Sequence, residues 1–280
     1  MTDPDRLPLR VLLKGDSRLV YTSWMGGPRS DFAMPRVIEA ELYAAGWPAD
    51  VRCTAVPGER TKEAIRGWEQ EILAWSPDVV ILVYGEMDCV HRFIPKFLER
   101  HVNSVRARPF PVRRAYRTYV LRPVWRMLRR TQREVDARLP PTLGFPSERI
   151  AADLEYLIGR VRSVASPLVL IPEHPQVGAV YQKWFPGLNP RIAVMNDVLR
   201  DLVERLDQPD VQIAPLRELL DDRVAAGEEI CPDGGHFTPE INRQLGEKLA
   251  EMIIAWAEQQ THLDLDTYRA RRASLSERAT

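Results

Sequence analysis

Short apolar runs recur along the chain, with amphipathic stretches between them. Residues 9–13 (LRVLL), 51–55 (VRCTA), 79–84 (VVILVY), 168–171 (LVLI) and 211–214 (VQIA) read as five strands. The third has no polar-apolar alternation, the pattern of a parallel strand covered on both faces. Helical spacing fits residues 31–45, 61–75, 147–164, 191–206 and 239–260. Ser147, after Pro146, is a candidate N-cap. Alternating strand and helix predict an α/β fold, with a five-stranded parallel sheet carrying helices on both faces. No internal repeat is visible.

Two segments break the alternation. Residues 91–141 are rich in arginine and carry Phe93, Phe97, Phe110, Tyr116, Tyr119 and Trp125, with prolines at 95, 109, 111 and 123. They read as a helical cap or lid inserted after the third strand, broken by its prolines into short pieces. Residues 263–280 have little apolar content and read as a flexible tail. Residues 1–262 then form a single domain that includes the insert.

Charge changes this picture. The 280 residues hold 39 basic and 39 acidic side chains, so the formal net charge is zero. That excludes a generally basic nucleic-acid binder and an acidic disordered chain. Residues 91–138, however, hold fourteen basic residues, thirteen of them arginine, against Glu99, Glu134 and Asp136. The insert carries +11 and the remainder −11. Its arginines either pair with the acidic body or recruit an anionic partner, since a planar guanidinium suits phosphate better than lysine does. Candidate partners are a phosphopantetheine carrier protein or coenzyme A thioester, a phosphorylated glycan or lipid intermediate, or an anionic membrane surface. The insert has no nucleic-acid motif, so nucleic acid is not expected. No apolar run approaches the roughly 20 residues of a membrane span. The amino-terminal residues lack a signal-peptide pattern. Cys53, Cys89 and Cys231 are widely spaced, without a disulfide or zinc-site pattern. A cytoplasmic, reduced protein is expected.

Ligands of open parallel sheets bind beyond the carboxyl ends of the strands. There the chain places Gly15-Asp16-Ser17, then Pro57-Gly58-Glu59-Arg60-Thr61, then Gly85-Glu86-Met87-Asp88-Cys89, and finally residues 231–239 with Asp233 and His236. These are the parts of acyl transfer. A serine hydroxyl needs a base, histidine serves near neutral pH, and a carboxylate orients the histidine. Backbone N–H groups of Ser17 and Gly58 are candidate oxyanion donors, and glycine at 58 allows close approach. Templates for other enzymes are absent: no G-x-S-x-G, phosphate loop, H-E-x-x-H or G-x-G-x-x-G follows a strand. No cofactor or metal is expected; His91, His101 and His262 lack ligand spacing.

GDS at 15–17, VPGERT at 56–61, the strand with GEMD at 85–88 and DGGHFTPE at 233–240 resemble the SGNH, or GDSL-type, hydrolase family. That family holds esterases, lipases, thioesterases, carbohydrate deacetylases and some acyltransferases. The resemblance covers residues 9–90 and 147–258. It implies a three-layer α/β/α flavodoxin-like fold, with Ser17 as nucleophile, His236 as base, Asp233 as its orienting partner and Gly58 as an oxyanion donor.

Two departures stand out. Met87 occupies the place of the family's oxyanion asparagine and cannot donate a hydrogen bond. A slower enzyme, a donor from elsewhere and a lost hydrolytic activity all fit. Arg18 follows GDS where the family has an apolar residue, and its side chain is expected to point onward from the turn. Asp16, Glu86, Asp88, Arg92 and His174 are candidate substrate contacts, with Asp16 and Asp88 also suited to tying loops to backbone N–H groups. The expected activity is hydrolysis of an acyl ester or thioester through an acyl-enzyme, on an anionic or carrier-linked substrate. Transfer to a sugar or natural-product hydroxyl, and a catalytically weakened binding protein, are the alternatives.

Overall fold

The computed structural model describes residues 7–20, 33–90, 101, 115–140, 143, 145–163, 167–260 and 263. Five parallel strands form the sheet: β1 (Leu9–Gly15), β2 (Ala49–Cys53), β3 (Val79–Val83), β4 (Leu168–Pro172) and β5 (Val211–Ala214), in the order β2-β1-β3-β4-β5. The order reverses at β1, which pairs β2 on one side and β3 on the other. A crevice for ligands opens at such a reversal.

Strand side chains alternate between two cores. Leu9, Val11 and Leu13 of β1 and Val79, Ile81 and Val83 of β3 pack on one face, against α1 (Met34–Ala44) and a carboxyl-terminal helix at Pro239–Ala257. Leu12, Val80 and Leu82 face the other core, built on the helices Ser147–Arg162 and Leu188–Leu206. Both faces are covered, as the unbroken apolar run of β3 requires. The expected α/β architecture and its five strands are present. Among the described residues the remaining helices, in chain order, are α2 (Glu86–Cys89), α3 (Arg122–Arg138), α4 (Ser147–Arg162), α5 (Ala179–Gln182), α6 (Leu188–Leu206), α7 (Glu218–Ala225) and α8 (Pro239–Ala257).

Several local expectations need correction. Residues 61–75 do not form one amphipathic helix. They hold a 3-10 turn at Thr61–Glu63 and a π turn at Glu69–Leu73, separated by Gly67 at φ +74°. Lys14 of β1 reaches into this segment, its Nζ donating to the Arg66 carbonyl at 3.1 Å and pairing with Glu71. Ser147 is the first residue of α4 rather than its cap, and Pro146 holds the cap position without a side-chain bond. Pro123 does not break the insert. Helical structure runs on from residue 115 through a π turn at Arg117–Leu121 into α3, and Pro123 follows that π turn by two residues. Leu263, placed in the tail by its sequence, is buried and accepts a hydrogen bond from Leu7 N at 3.1 Å. Residues 91–100, 102–114 and 264–280 lie outside the described residues.

In the described part of the insert, α3 brings a buried acidic residue against the body. The Asp136 carboxylate accepts from Arg191 Nη2 at 2.8 Å and from Gly187 N at 2.9 Å, and Arg191 Nε donates to the Cys89 carbonyl at 2.5 Å. Both charged side chains are 0% exposed. Arg122, Arg126, Arg130 and Arg133 lie on the exposed side of α3.

Candidate active site

Beyond the carboxyl ends of β1 and β3, four loops converge. β1 ends at Gly15, where a Cβ would lie 2.5 Å from the Val83 carbonyl oxygen, so only glycine lets the two strand ends approach. Asp16 follows in an extended conformation and caps the 3-10 turn Ser17–Leu19, its carboxylate accepting from Arg18 N at 3.0 Å. Ser17 thus sits at the start of a short turn directly off the switch-point strand.

The histidine loop is organised by Asp233. One carboxylate oxygen accepts from Gly235 N at 3.0 Å and His236 N at 2.8 Å; the other lies 2.8 Å from His236 Nδ1. His236 Nε2 lies 3.0 Å from Ser17 Oγ. An ionised carboxylate only accepts hydrogen bonds, so Nδ1 carries the proton and Nε2 is left to accept from the serine hydroxyl. Burial works to raise the Asp233 carboxyl, but the N–H groups and ring of this loop outweigh it and hold it below the usual range. The following helix is capped by Thr238, whose hydroxyl accepts from Ile241 N at 3.2 Å.

Gly58 lies in a turn closed by Glu59 N donating to the Val56 carbonyl at 3.0 Å. Its φ of +72° at the third position, after Pro57, suits a type II turn and favours glycine. Three ties hold this turn near the site. Val56 N donates to the Gly15 carbonyl at 2.9 Å, Tyr84 Oη to Glu59 at 2.9 Å, and Thr61 N to Asp88 at 3.0 Å.

Beneath these loops lies a buried charged layer. The Arg18 side chain turns inward and is 3% exposed. Its Nε donates to the Gly235 carbonyl at 3.0 Å, Nη1 meets Glu86 Oε2 at 2.5 Å, and its guanidinium stacks 4.8 Å from the Phe237 ring centre. Burial pushes the Glu86 carboxyl up to about 7, with Arg18 opposing and Asp16 reinforcing the rise. His174 Nε2 donates to the Tyr84 carbonyl at 2.7 Å, and its backbone N–H and carbonyl pair with the Asn196 amide at 2.9 Å each. Burial, aided by the Arg18 charge, lowers His174 to about 4 and keeps it neutral.

A family model, the GDSL-like Lipase/Acylhydrolase family, matches residues 15–244, the span from the nucleophile turn past the histidine loop. The chain belongs to this family. Solved structures share its fold at low identity. The lipase/acylhydrolase from Enterococcus faecalis is 16% identical, with 88% of this chain and 95% of that one covered and a TM-score of 0.57. A catalytic mutant of an acetylxylan esterase from Geobacillus stearothermophilus is 11% identical, with 89% and 96% covered and a TM-score of 0.54. The carbohydrate acetylesterase Est24 from Sinorhizobium meliloti is 14% identical, with 89% and 99% covered and a TM-score of 0.53. No curated protein matches the chain.

Within this GDSL-type site, the structure brings Ser17, Asp233 and His236 together as the sequence order implies. Met87, half-buried in α2, packs against the α4–α6 core at the place of the family asparagine. Asp16, Glu86, Asp88 and His174 are buried. Asp16 accepts from Arg18 N, Glu86 pairs with the Arg18 guanidinium, Asp88 accepts from Thr61 N and His174 donates to the Tyr84 carbonyl. Arg92 lies outside the described residues. Arg18 was expected to point away and instead joins the nucleophile turn to the histidine loop. Its one sequence signal was a cation where the family has an apolar residue. Asn196, Tyr84 and Glu59 carried no local signal. Among the described residues, no group of three or more His, Cys, Asp or Glu side chains is placed to hold a metal. No described helix is long and apolar enough to cross a membrane.

Proposed function

We propose that this chain hydrolyses an acyl ester or thioester through an acyl-enzyme on Ser17. The observation that carries this reading is the continuous relay from Asp233 through His236 to Ser17 Oγ, with contacts of 2.8 and 3.0 Å. Ser17 Oγ adds to the substrate carbonyl as His236 Nε2 takes its proton, and Asp233 stabilises the imidazolium. The oxyanion is held by the backbone N–H groups of Ser17 and Gly58. Collapse expels the alcohol or thiol, which receives the proton from His236. Water then attacks the acyl-serine with the same histidine as base, and releases the acid. Cofactor chemistry has no part in these steps.

The substrate we assign is anionic or carrier-linked, on the strength of the exposed arginines of α3 beside the acidic body. A fluorophosphonate probe should label Ser17, as read by peptide mass spectrometry, and Ser17→Ala should remove both labelling and turnover on ester and thioester panels. A folded protein whose Ser17 resists the probe would count against the mechanism.

Met87 favours a second reading, in which chemistry is weak beside binding of an anionic partner. Losing one oxyanion donor typically costs about 10²–10³ in turnover. Met87→Asn should therefore raise kcat on a simple ester, by about tenfold if the restored amide is well aimed. An unchanged or lower kcat would show that a donor is not limiting.

A further inference from the structure

Buried arginines without a catalytic contact are rare, because desolvating a guanidinium is costly unless the site returns something for it. Arg18 is such a residue. It is the neighbour of the nucleophile, and its own N–H is held by the Asp16 carboxylate at 3.0 Å. Its Nε reaches across 217 residues of sequence to the Gly235 carbonyl. Gly235 lies between Asp233, which organises the loop through Gly235 N and His236 N, and His236 itself. The same guanidinium meets Glu86 in α2 and stacks on Phe237, the residue after the histidine. One side chain therefore touches the histidine loop on both sides of His236 while its backbone belongs to the turn that carries Ser17.

We propose that Arg18 is a positioning residue that sets the Ser17–His236 separation by fastening the histidine loop to the nucleophile turn, with Glu86 holding its guanidinium in place. The two halves of the relay come from distant parts of the chain, and above the Arg18 side chain they meet through the Nε2–Oγ contact. A rigid tie below that rim keeps the imidazole at hydrogen-bond distance before substrate arrives. Such preorganisation matters because misplacement by about 1 Å can cost about 10²-fold in rate. The apolar residue that the family carries here would fill the space but could not reach a carbonyl. This inference rests on the serine-hydrolase reading for its kinetic consequence, but the tie itself is testable without turnover.

The test pairs Arg18→Leu with Glu86→Leu, since replacing a buried ion pair by apolar residues of similar volume is often neutral for stability. Three measurements are compared with the parent: thermal melting, amide hydrogen exchange across residues 233–237, and kinetics on p-nitrophenyl acetate with the fluorophosphonate labelling rate of Ser17. The expected result is a folded double variant whose Gly235 and His236 amides exchange faster, with kcat and labelling lower by about 10²-fold and KM changed by less than about threefold. Unchanged exchange and unchanged kcat in the folded variant would overturn the proposal. If the double variant melts early, Arg18→Lys carries the test, because it keeps a cation opposite Glu86 but loses the Nε–H. Faster exchange at 235–236 with an unshifted melt supports the tie, and unchanged exchange overturns it. A parent protein inert to both ester and probe would speak against the hydrolase reading alone, and the exchange data would still decide the role of Arg18.

Discussion

Two populations of arginine divide this molecule. Arg18 and Arg191, in the acidic body, are almost wholly buried, and each pairs with a buried carboxylate and donates to a backbone carbonyl from another loop. On the insert helix, Arg122, Arg126, Arg130 and Arg133 are exposed, beside apolar side chains such as Tyr119 and Met127, which are 78% and 62% exposed. The first population organises loops around the site; the second sets the field outside it. Charge counted along the sequence picks out the second, and only the fold reveals the first.

The sharpest way to break this contrast is Arg191→Met. Removing one partner of a buried pair leaves the other charge uncompensated, so the variant should lose about 3–5 kcal/mol in urea denaturation at neutral pH. Arg191→Met with Asp136→Leu should recover most of that loss, since two apolar side chains need no counter-ion. The substitution also removes the Arg191 donor from the Cys89 carbonyl at the end of α2. A loss below about 1 kcal/mol would put Arg191 with the exposed arginines, whose ion pairs have about that value.

Legibility in the sequence follows the same division. Ser17, Asp233 and His236 were readable because nucleophile, base and orienting acid must be particular residue types, and a parallel sheet brings strand ends to one edge whatever lies between. β3 was readable because a strand covered on both faces has no freedom to be polar. Residues 61–75 were misread as one helix because their apolar spacing is helical, while Gly67 and the pull of Lys14 on the Arg66 carbonyl are local and tertiary facts that periodicity does not register. The inward turn of Arg18 and the burial of His174 were illegible for a related reason, since their hydrogen-bond partners lie 217 and 90 residues away.

His174 sharpens the contrast with pH. It sits in the field of Arg18, buried and neutral, lowered from the ordinary histidine value of 6.5 to about 4. Between those values the folded state binds fewer protons than the unfolded chain. The histidine therefore contributes stability that is fully present above pH 6.5 and is lost as pH falls towards 4. Glu86 works in the opposite sense, since its carboxyl is raised from 4.5 to about 7 and its contribution is lost as pH rises through that window. The difference between parent and His174→Gln isolates the histidine, because glutamine can still donate to the Tyr84 carbonyl but does not titrate. The parent's advantage over the variant should grow by up to about 3 kcal/mol from pH 4 to 6.5, measured by urea denaturation. An advantage independent of pH would mean that His174 is already solvated, and that the charged layer is less dry than its burial indicates.

The smallest effect on stability, and the most informative about substrate, belongs to the exposed arginines. Reversing Arg126, Arg130 and Arg133 to glutamate removes no buried pair, so each change should move stability by no more than about 0.5 kcal/mol. Their long-range field should act on encounter instead. For a coenzyme A thioester, KM should rise in the triple variant, and the salt dependence of its kcat/KM should be flatter than the parent's, because added salt screens what the substitutions have already removed. The ratio of KM for that anionic thioester to KM for p-nitrophenyl acetate, compared at low and high salt, separates charge recruitment from a general change in the site. A ratio unaffected by the three reversals would assign the arginines of α3 to pairing with the acidic body, and the anionic substrate would lose its main support.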